Sequence, residues 1–341
     1  MKLITFTVPC YNSQEYMRKC IDSLLTAGSD AEIIIVNDGS TDKTGEIADG
    51  YAKNYPDIVK VIHKQNGGHG SGLNAGLKVA QGLYFKVVDS DDWLDADALK
   101  KLISTIKQHV AVRIMPDFYI TNFIYFHPQD GTQYISRYGK KMNAGFVDWK
   151  RVKRFHFSHT LMIHALTYNT QKLRENYVEL PEKTFYVDNI YAFAPLVNMR
   201  TAYYIDENLY YYFIGREDQS INIKNCVERY KQQLLVMTMM CNSHTYKEIN
   251  SAPKGLKNYL WHYLHAIMMN TLAFACIKVS RERKQDVKKM WRDIKAHDKK
   301  IYRKVRFTNY PLAVALLPWC MRPKILMYGY NKVKNKVKLG L

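Results

Sequence analysis

The stretch Tyr84–Trp93, which reads Tyr-Phe-Lys-Val-Val-Asp-Ser-Asp-Asp-Trp, constrains the fold more than any other part of the sequence. An apolar run typical of a buried strand ends abruptly in Asp89, Asp91 and Asp92. In an open parallel sheet the carboxyl ends of strands line the ligand crevice, so these acids are expected to face a site. Oxygen ligands there suit Mg²⁺ or Mn²⁺, especially where a substrate diphosphate completes the coordination. The alternative is an Asp-rich turn that ends the strand and caps the next helix.

Two earlier strand ends also carry polar loops. The first part of the chain alternates strand-like and helix-like segments, a pattern typical of a parallel sheet flanked by helices. The first predicted strand ends in Val8-Pro-Cys-Tyr-Asn12, and the spacing of Asn12 and Glu15 predicts a capping box that opens a helix. The second strand, Glu32–Val36, runs into Asn37-Asp-Gly-Ser-Thr-Asp42. Agreement among three strand ends favours a ligand site over three unrelated turns.

A third predicted strand, Ile58–Ile62, leads into a loop from His63 to Gly76 that contains five glycines. Such a loop lets the backbone pass close to a ligand, and the helix that follows offers free N–H groups to a phosphate or ribose. The loop is neither a P-loop nor a Rossmann fingerprint, because G-K-[S/T] is absent and no G-x-G-x-x-G directly follows a strand.

As a set and in this order, these motifs resemble those of the nucleotide-sugar-dependent glycosyltransferases of family two. The matching elements are the strand end Pro9–Asn12, the loop Asn37–Ser40, the Asn-Gly-Gly…Asn-x-Gly loop up to Gly76, and the strand end Asp89–Asp92. The resemblance covers about the first 110 residues. It implies an inverting enzyme of the bacterial surface-polysaccharide type.

The same resemblance implies the GT-A fold, a Rossmann-like α/β architecture whose mixed, mostly parallel sheet has helices on both faces. We expect a catalytic domain over residues 1–222 and a basic helical region over residues 223–341. Within the first domain, Asp95 is expected to cap a helix. Two alternating segments, Asp117–Phe126 and Gln133–Tyr138, predict an antiparallel addition to the sheet.

Site residues follow from the resemblance, position by position. Asp38 would recognise a uracil base, Asp89 the ribose or the metal, and Asp91 would be the principal ligand of Mn²⁺ or Mg²⁺. Asp92 and Trp93 are expected on the acceptor side. The donor-binding residues implied are Pro9, Tyr11, Asn12, Asp38, Gly67, Gly68, His69, Asn74, Asp89, Ser90 and Arg216.

The glycine-rich loop departs from the family at one position. The common pattern has an Arg just before Asn74, where this chain has Leu73. A diphosphate contact made by that Arg must therefore come from elsewhere or be absent. His69 in the same loop is either a nucleotide contact or a loop residue without a ligand.

Asp188 is the predicted general base. It lies among apolar residues in Phe185-Tyr-Val-Asp-Asn-Ile-Tyr-Ala192, at the apparent start of a helix. In the resembled family a Glu-Asp pair occurs here, and its Asp deprotonates the acceptor hydroxyl. This chain keeps the Asp but has Val187 before it. The alternative is a helix N-cap Asp.

Arg216 follows the aromatic strand-like segment Leu209–Phe213. The family often has a basic residue here, so Arg216 is expected to stabilise the departing diphosphate. A solvated loop Arg is the alternative. His156, His159 and His164 lie nearby in sequence among aromatic residues, and a lone His in such surroundings is more often structural than a ligand.

Cysteine usage and the N-terminus bear on the compartment. The six Cys are scattered, with no C-x-x-C pair and no metal-ligand spacing, which predicts free thiols in a reducing compartment. The chain begins directly with a strand-like segment and lacks the features of a signal peptide. We therefore expect a cytoplasmic protein.

The net charge of +19 is concentrated near the C-terminus, where residues 281–341 contain 18 Lys and Arg against 4 Asp and Glu. Pro311–Met321 is an apolar, Trp-containing segment between cationic clusters, which favours peripheral binding to an anionic membrane surface. Nucleic acid is disfavoured, since no helix-turn-helix, zinc or ribonucleoprotein pattern occurs. The alternative is a solvated tail packed on the body or on another subunit of a homo-oligomer.

These features predict an inverting glycosyltransferase that moves a sugar from a UDP-sugar to a hydroxyl of a glycan or lipid-linked acceptor. The expected reaction is a metal-assisted single displacement in cell-surface polysaccharide synthesis, at the inner face of the cell membrane. The competing hypothesis is a catalytically idle nucleotide-fold module, held on membrane or nucleic acid by its basic tail.

Overall fold

The computed structural model describes residues 1–156, 159–215 and 223–326, except for the side chains of Ile223 and Asn309. The chain divides into two compact units. The sheet unit comprises Met1–Lys153, Leu161–Pro195 and Met199–Ile214. The helical unit takes in the described residues of Arg154–Thr160, Leu196–Asn198 and Gly215–Leu341.

The described residues of the sheet unit form one ten-stranded sheet. Its strands are β1 (Ile4–Cys10), β2 (Ala31–Asp38), β3 (Val59–Lys64), β4 (Tyr84–Val87), β5 (Trp93–Leu94), β6 (Phe118–His127), β7 (Thr132–Ser136), β8 (Gly145–Phe146), β9 (Leu166–Asn169) and β10 (Ala202–Phe213). The order is β3-β2-β1-β4-β9-β6-β10-β5, with β7 paired to β6 and β8 to β10. Four ladders are parallel: β1 pairs with β2 and with β4, β2 pairs with β3, and β6 pairs with β10.

Helices connect the strands of this unit. They are α1 (Met17–Leu25), α2 (Thr44–Asn54), α3 (His69–Val79), α4 (Ala96–Ala111), α5 (Thr170–Glu175) and α6 (Asp188–Phe193). The strand order reverses after β3, so right-handed crossovers place α1 and α2 on one face of the sheet and α3 on the other. β1 and β2 are buried along their whole length, as strands covered on both faces should be.

Close packing of α3 on the sheet explains one glycine of the glycine-rich loop. A Cβ atom on Gly76 would lie 2.2 Å from Oγ1 of Thr7 on β1. Only glycine lets the helix approach the strand this closely. Gly76 therefore serves helix-to-sheet packing, whereas Gly67 and Gly68 lie at the edge of the sheet where the predicted site is found.

The helical unit contains, in its described part, α7 (Ile223–Glu228), α8 (Tyr230–Asn242), α9 (Tyr246–Ser251), α10 (Lys254–Cys276), α11 (Arg281–His297), α12 (Lys299–Arg306) and α13 (Asn309–Leu316). Side chains cap three of them: Thr245 with Glu248 on α9, Ser280 on α11 and Asp298 on α12. Along the described segments, none of the helices combines the length and the apolar character that crossing a bilayer requires.

Most expectations for the fold are confirmed. The sheet is mixed and mostly parallel, helices follow it in the chain, and β6 and β7 form the predicted antiparallel pair. Asp95 caps α4 by accepting from the N–H groups of Asp97 and Ala98. All six cysteines are free thiols.

The predicted capping box at Asn12 is wrong. Helix α1 begins at Met17, and its N-cap residue, Tyr16, makes no side-chain cap bond. Asn12 instead accepts a hydrogen bond from the N–H of Thr41 at 2.9 Å, and its own φ is 49°. A contact between two strand-end loops thus replaces the local cap that the spacing suggested.

Candidate active site

Asp38, the last residue of β2, holds the glycine-rich loop in place. Its Oδ1 accepts from the N–H of Gly67 at 2.9 Å, and its Oδ2 accepts from the N–H of Gly68 at 2.7 Å. Lys64 also donates to Oδ1, at 2.8 Å. The carboxylate is 3% exposed. This loop-fixing role was not anticipated from the sequence, and recognition of a base by Asp38 stays a prediction.

The strand-end loops of β1, β2 and β4 meet through short hydrogen bonds. The N–H of Asn12 donates to Oγ of Ser40 at 3.0 Å. The hydroxyls of Ser13 and Ser90 lie 2.7 Å apart. Tyr11 is 55% exposed beside them. The expected donor residues Tyr11, Asn12 and Ser90 therefore lie on adjoining loops at the carboxyl ends of the strands, with Pro9 buried inside β1.

Helix α3 begins where the glycine-rich loop meets the acidic strand end. Gly68, with φ 83°, is its N-cap residue and His69 its first residue. Nε2 of His69 lies 2.8 Å from Oδ1 of Asp89. Burial lowers the pKa of His69, but the facing charge of Asp89 and their hydrogen bond outweigh that effect, and the pKa is raised overall.

Asn74, farther along α3, uses its amide within the protein. Its Nδ2 donates to the carbonyl of Leu180 at 2.9 Å. Its Oδ1 accepts from the N–H of Leu180 at 3.1 Å and from the hydroxyl of Tyr177 at 2.8 Å. These bonds join α3 to the chain that leads to Asp188. A donor contact by Asn74 stays a prediction. Leu73 beside it is fully buried.

A cluster of possible metal ligands lies at the end of β4. Ligand atoms of Asp89, Asp92 and His164 all lie within 4.8 Å of one another. Nε2 of His164 is 3.9 Å from Oδ2 of Asp89, and in the described part of the protein Nδ1 of His164 is buried without a hydrogen-bond partner. Asp91, the expected principal ligand, lies between these two acids in the sequence, and its side chain is half-buried.

Strand β10 fixes the carboxylate of Asp92 and the backbone of Asp89. The hydroxyl of Tyr210 donates to Oδ2 of Asp92 at 2.5 Å and accepts from the N–H of Asp89 at 3.1 Å. The N–H of Phe213 donates to Oδ1 of Asp92 at 2.8 Å. Asp92, 1% exposed, is thus anchored to the sheet; whether it also orients an acceptor stays a prediction.

The charges of the cluster shift its pKa values in opposite directions. Burial, together with the nearby charges of Asp91 and Asp89, raises the pKa of Asp92 well above its ordinary value. Burial also acts to raise the pKa of Asp89, but His69 and His164 oppose it and the pKa is lowered. Burial lowers the pKa of His164 to about 4, which keeps the imidazole neutral and able to bind a metal.

The residues present fit a divalent cation. Carboxylate oxygens suit Mg²⁺ and Mn²⁺, and an imidazole nitrogen is accepted more readily by Mn²⁺. The carboxylates of Asp89 and Asp92 beside an imidazole nitrogen of His164 are an arrangement whose negative charge a cation would neutralise. A functional role for His164 was not expected from the sequence, because the pairing of β9, which follows His164 in the chain, with β4 is not visible in a local pattern.

Lys86, on β4, holds the backbone of His164. A role for this lysine was not expected from the sequence. Its side chain is fully buried, and its ammonium donates to the carbonyl of His164 at 2.7 Å. Burial lowers the pKa of Lys86 to about 7. This buried hydrogen bond holds the backbone of His164 next to β4.

Asp188, the predicted base, is the first residue of α6 and half-buried. Burial raises its pKa to about 6, with the charge of Asp89 acting in the same direction and that of His69 opposing it. Val187, and not Asp188, occupies the N-cap position of α6. The N-cap alternative for Asp188 therefore does not hold, and its catalytic role stays a prediction.

Trp93, the expected acceptor-side residue, lies on the strand β5. Its ring stacks on Tyr211 with centroids 5.1 Å apart, and Nζ of Lys19 lies 3.0 Å from the centroid of the Trp93 ring. Contact of Trp93 with an acceptor stays a prediction. Arg216, the expected diphosphate contact, lies outside the described residues.

Two solved structures share this fold. TarS 1–349 of S. aureus in complex with UDP matches with a TM-score of 0.65 at 19% identity, over 100% of this chain and 92% of that one. The mannosyltransferase PcManGT of Pyrobaculum calidifontis, in complex with GDP-Man and Mn²⁺, matches with a TM-score of 0.51 at 17% identity, over 92% and 86%. The GT-A fold expected from the sequence is thereby confirmed.

Curated relatives match part of the chain. An uncharacterized glycosyltransferase, EpsJ of Bacillus subtilis (strain 168), is 44% identical over 108 residues, which are 31% of each chain. The glycosyltransferase GlyA of Streptococcus pneumoniae is 37% identical over 132 residues, 38% of this chain and 18% of GlyA. These matches span about a third or less of either relative. The family model for glycosyl transferase family 2 matches residues 5–179, more than half of the chain. The protein is therefore a member of glycosyl transferase family 2.

Proposed function

We propose that this protein is an inverting glycosyltransferase that moves a sugar from a UDP-sugar to a hydroxyl of a glycan or lipid-linked acceptor in cell-surface polysaccharide synthesis. Family membership supports glycosyl transfer. The observation that carries the proposal is the contact of His69 with Asp89 at the acidic end of β4, within the electrostatic reach of Asp188. The pKa of the Asp188 carboxyl group is raised to about 6. The UDP and UDP-GlcNAc complexes of TarS support UDP as the nucleotide.

Asp188 is the proposed general base. As the acceptor oxygen attacks the anomeric carbon of the donor, Asp188 takes its proton while the bond from sugar to diphosphate breaks on the opposite side. A single displacement of this kind inverts the anomeric centre. A pKa of about 6 suits the task, because the carboxylate is mostly ionised at neutral pH yet remains basic enough to accept a proton.

The other residues hold the donor and balance its charge. Asp89 and Asp91, the expected ligands, would hold Mn²⁺ or Mg²⁺, and the cluster of Asp89, Asp92 and His164 offers further ligand atoms at the same strand end. The cation, when bound, supplies Lewis-acid stabilisation of the leaving UDP. His69 fixes the orientation of Asp89, and Asp38 fixes the glycine-rich loop that lies along the nucleotide.

We assign the transfer chemistry to residues 1–222 and attachment to an anionic membrane surface to residues 223–341. In the helical unit, Lys304 and Arg306 lie in the last turn of α12. Phe307, Leu316 and Met321 are exposed apolar side chains close to them in sequence. Cations beside exposed apolar groups favour an interface with anionic lipid at the inner face of the cell membrane.

Release of UDP tests the proposal. The purified protein is offered a panel of UDP-sugars with MnCl₂ or with EDTA, and UDP formation is measured together with binding of UDP. We expect release with at least one donor in MnCl₂. We expect Asp188→Asn to abolish release while retaining UDP binding. Binding of UDP without release from any donor would support the catalytically idle module instead, and a wild-type rate for Asp188→Asn would refute the base assignment.

A further inference from the structure

The chain that leads from Leu180 to Asp188 crosses the glycine-rich loop in a strained conformation. Lys183 and Tyr186 have φ values of 48° and 67°, which residues with a Cβ atom adopt only at a cost. The N–H of Lys183 donates to the carbonyl of Gly67 at 2.6 Å. A Cβ atom on Gly68 would lie 3.2 Å from Cα of Lys183, so a glycine is needed beneath this residue.

These contacts fix Lys183 between the two ends of the proposed donor site. Gly67 and Gly68, which it touches, donate their N–H groups to Asp38 at the nucleoside end. The next residue of the loop, His69, contacts Asp89 at the diphosphate end. The backbone of Lys183 is thus held beside the part of the loop that a sugar nucleotide would follow.

Among the described residues, two lysines near the site are already paired and Lys183 is not. Lys64 is bonded to Asp38, and Lys86 is bonded to the carbonyl of His164. The ammonium of Lys183 is exposed and, among the residues that the structure describes, makes neither an ion pair nor a hydrogen bond. It remains unpaired although Asp89, Asp91 and Asp188 lie in the same region of the protein.

We propose that Lys183 is a donor-binding residue whose ammonium contacts the diphosphate of the sugar nucleotide. This inference rests on the proposed function. A diphosphate cannot enter a crevice of carboxylates without cations, and hydrogen bonds from an ammonium to phosphate oxygens are among the strong ones. Lys183 takes the place of the cation that the buried Leu73 cannot provide. The strained backbone is retained because the same segment positions Lys183 and delivers Asp188.

Calorimetric titration with UDP and with uridine tests the contact. Lys183→Met should bind UDP about tenfold more weakly or worse, because a charged hydrogen bond is lost, and should bind uridine as the wild type does. Lys183→Arg should retain most of the affinity for UDP. UDP affinity of Lys183→Met within twofold of wild type would overturn the inference, as would an equal loss for uridine.

Substitution by glycine separates binding from strain. Lys183→Gly removes both the ammonium and the cost of a positive φ, so the melting temperature should stay level or rise while UDP affinity falls. Arg113→Gly is the matched control, since Arg113 is an exposed cation with φ 57° just after α4. The melting temperature of Arg113→Gly should not fall below that of the wild type, and this variant should bind UDP normally.

The outcomes also separate this inference from the proposed function. A wild-type protein that binds no UDP, with or without Mn²⁺, would overturn the proposed donor and the role of Lys183 together. Wild-type binding of UDP that survives in both Lys183→Met and Lys183→Gly would overturn only the role of Lys183. Loss of UDP binding in Arg113→Gly would also overturn it, because the effect would then not be specific to the site.

Discussion

Nε2 of His69 lies 2.8 Å from Oδ1 of Asp89, so the first residue of α3 is joined to the acidic segment just beyond the end of β4. A carboxylate fixed in this way presents its second oxygen to the cluster in one orientation. This contact unites the glycine-rich loop and the acidic strand end, which are separate motifs in the sequence.

Loss of this contact should impair transfer. His69→Ala should lower kcat/KM for the UDP-sugar about tenfold or more, because a hydrogen bond to a charged carboxylate is removed. His69→Gln, which can still donate a hydrogen bond, should lose less. Steady-state UDP release measures both. Equal, wild-type values for the two variants would show that Asp89 needs no support from α3.

The rate should depend on the ionisation of Asp188. Burial raises its pKa to about 6, and only the ionised form can accept a proton. Log kcat/KM should therefore be flat above this pH and should fall about tenfold per unit below it. A pH profile of UDP release from pH 5 to pH 8 measures this. A rate that is constant down to pH 5 would contradict the assignment.

The melting temperature of Asp188→Asn shows whether a loss of activity reflects misfolding. The pKa of Asp188 is raised in the folded state from 3.8 to about 6, so this group lowers stability as pH rises through that interval. Asp188→Asn should therefore melt higher than wild type at pH 7 and show little difference at pH 4. A lower melting temperature at pH 7 would mean that lost activity reflects misfolding.

Removal of His164 should weaken binding of Mn²⁺. The imidazole offers one of three ligand atoms that lie within 4.8 Å of one another. His164→Ala should bind Mn²⁺ about tenfold more weakly, measured by electron paramagnetic resonance of the free ion without nucleotide. His297→Ala, at an exposed position on α11, is the control and should bind normally. Equal affinity in all three proteins would exclude His164 as a ligand.

Asp206 should stabilise the sheet unit in a pH-dependent way. It accepts from Nε of Arg137 at 2.8 Å, from the hydroxyl of Tyr204 at 2.6 Å and from Nδ2 of Asn122 at 2.9 Å. The hydrogen bond from Arg137, with the other two, holds the pKa of Asp206 below its ordinary value. Asp206→Asn should cost about 1–3 kcal/mol at pH 7, and the difference should narrow as pH falls below about 4.

Denaturant unfolding of both proteins at pH 7 and pH 3 measures this difference. A loss of the same size at both values would mean that the amide disturbs packing and that the charge of Asp206 contributes little. Activity at pH 7 serves as a further check, since Asp206 lies outside the proposed site.

Membrane attachment should depend on the basic C-terminus. Residues 327–341 lie outside the described residues and contain Lys332, Lys334, Lys336 and Lys338. A chain that ends at residue 326 should float less well with vesicles containing anionic phosphatidylglycerol, since each cation near such a surface contributes about 1 kcal/mol. UDP binding should be unchanged. Equal flotation of both chains, or flotation with neutral phosphatidylcholine alone, would remove the prediction.

Local patterns in the sequence predicted the parts of the fold that depend on near neighbours. The alternation of strands and helices, the cap at Asp95 and the acidic end of β4 all follow from residues a few positions apart. The Asn12 cap failed for the opposite reason: the side chain found a partner 29 residues away, in Thr41. Spacing alone cannot weigh a distant hydrogen-bond partner against a local one.

The same limit explains the site residues that the sequence did not indicate. His164 and Lys86 come together through the pairing of β9 with β4, and Tyr210 reaches Asp92 across 118 positions. No short motif records such pairings, since they depend on the register of a sheet with both parallel and antiparallel ladders. The proposed role of Lys183 likewise rests on features that no motif records, its φ of 48° and the lack of a counter-ion among the described residues.

The three bonds of the Asn74 amide have a consequence for how the two substrates communicate. They join α3 to the chain between Tyr177 and Leu180, so the glycine-rich loop at the start of α3 is tied to the segment that leads to Asp188. Ordering of the loop by an arriving nucleotide would therefore also set the reach of Asp188 toward the second substrate. Such a linkage would favour ordered addition, with the donor bound first.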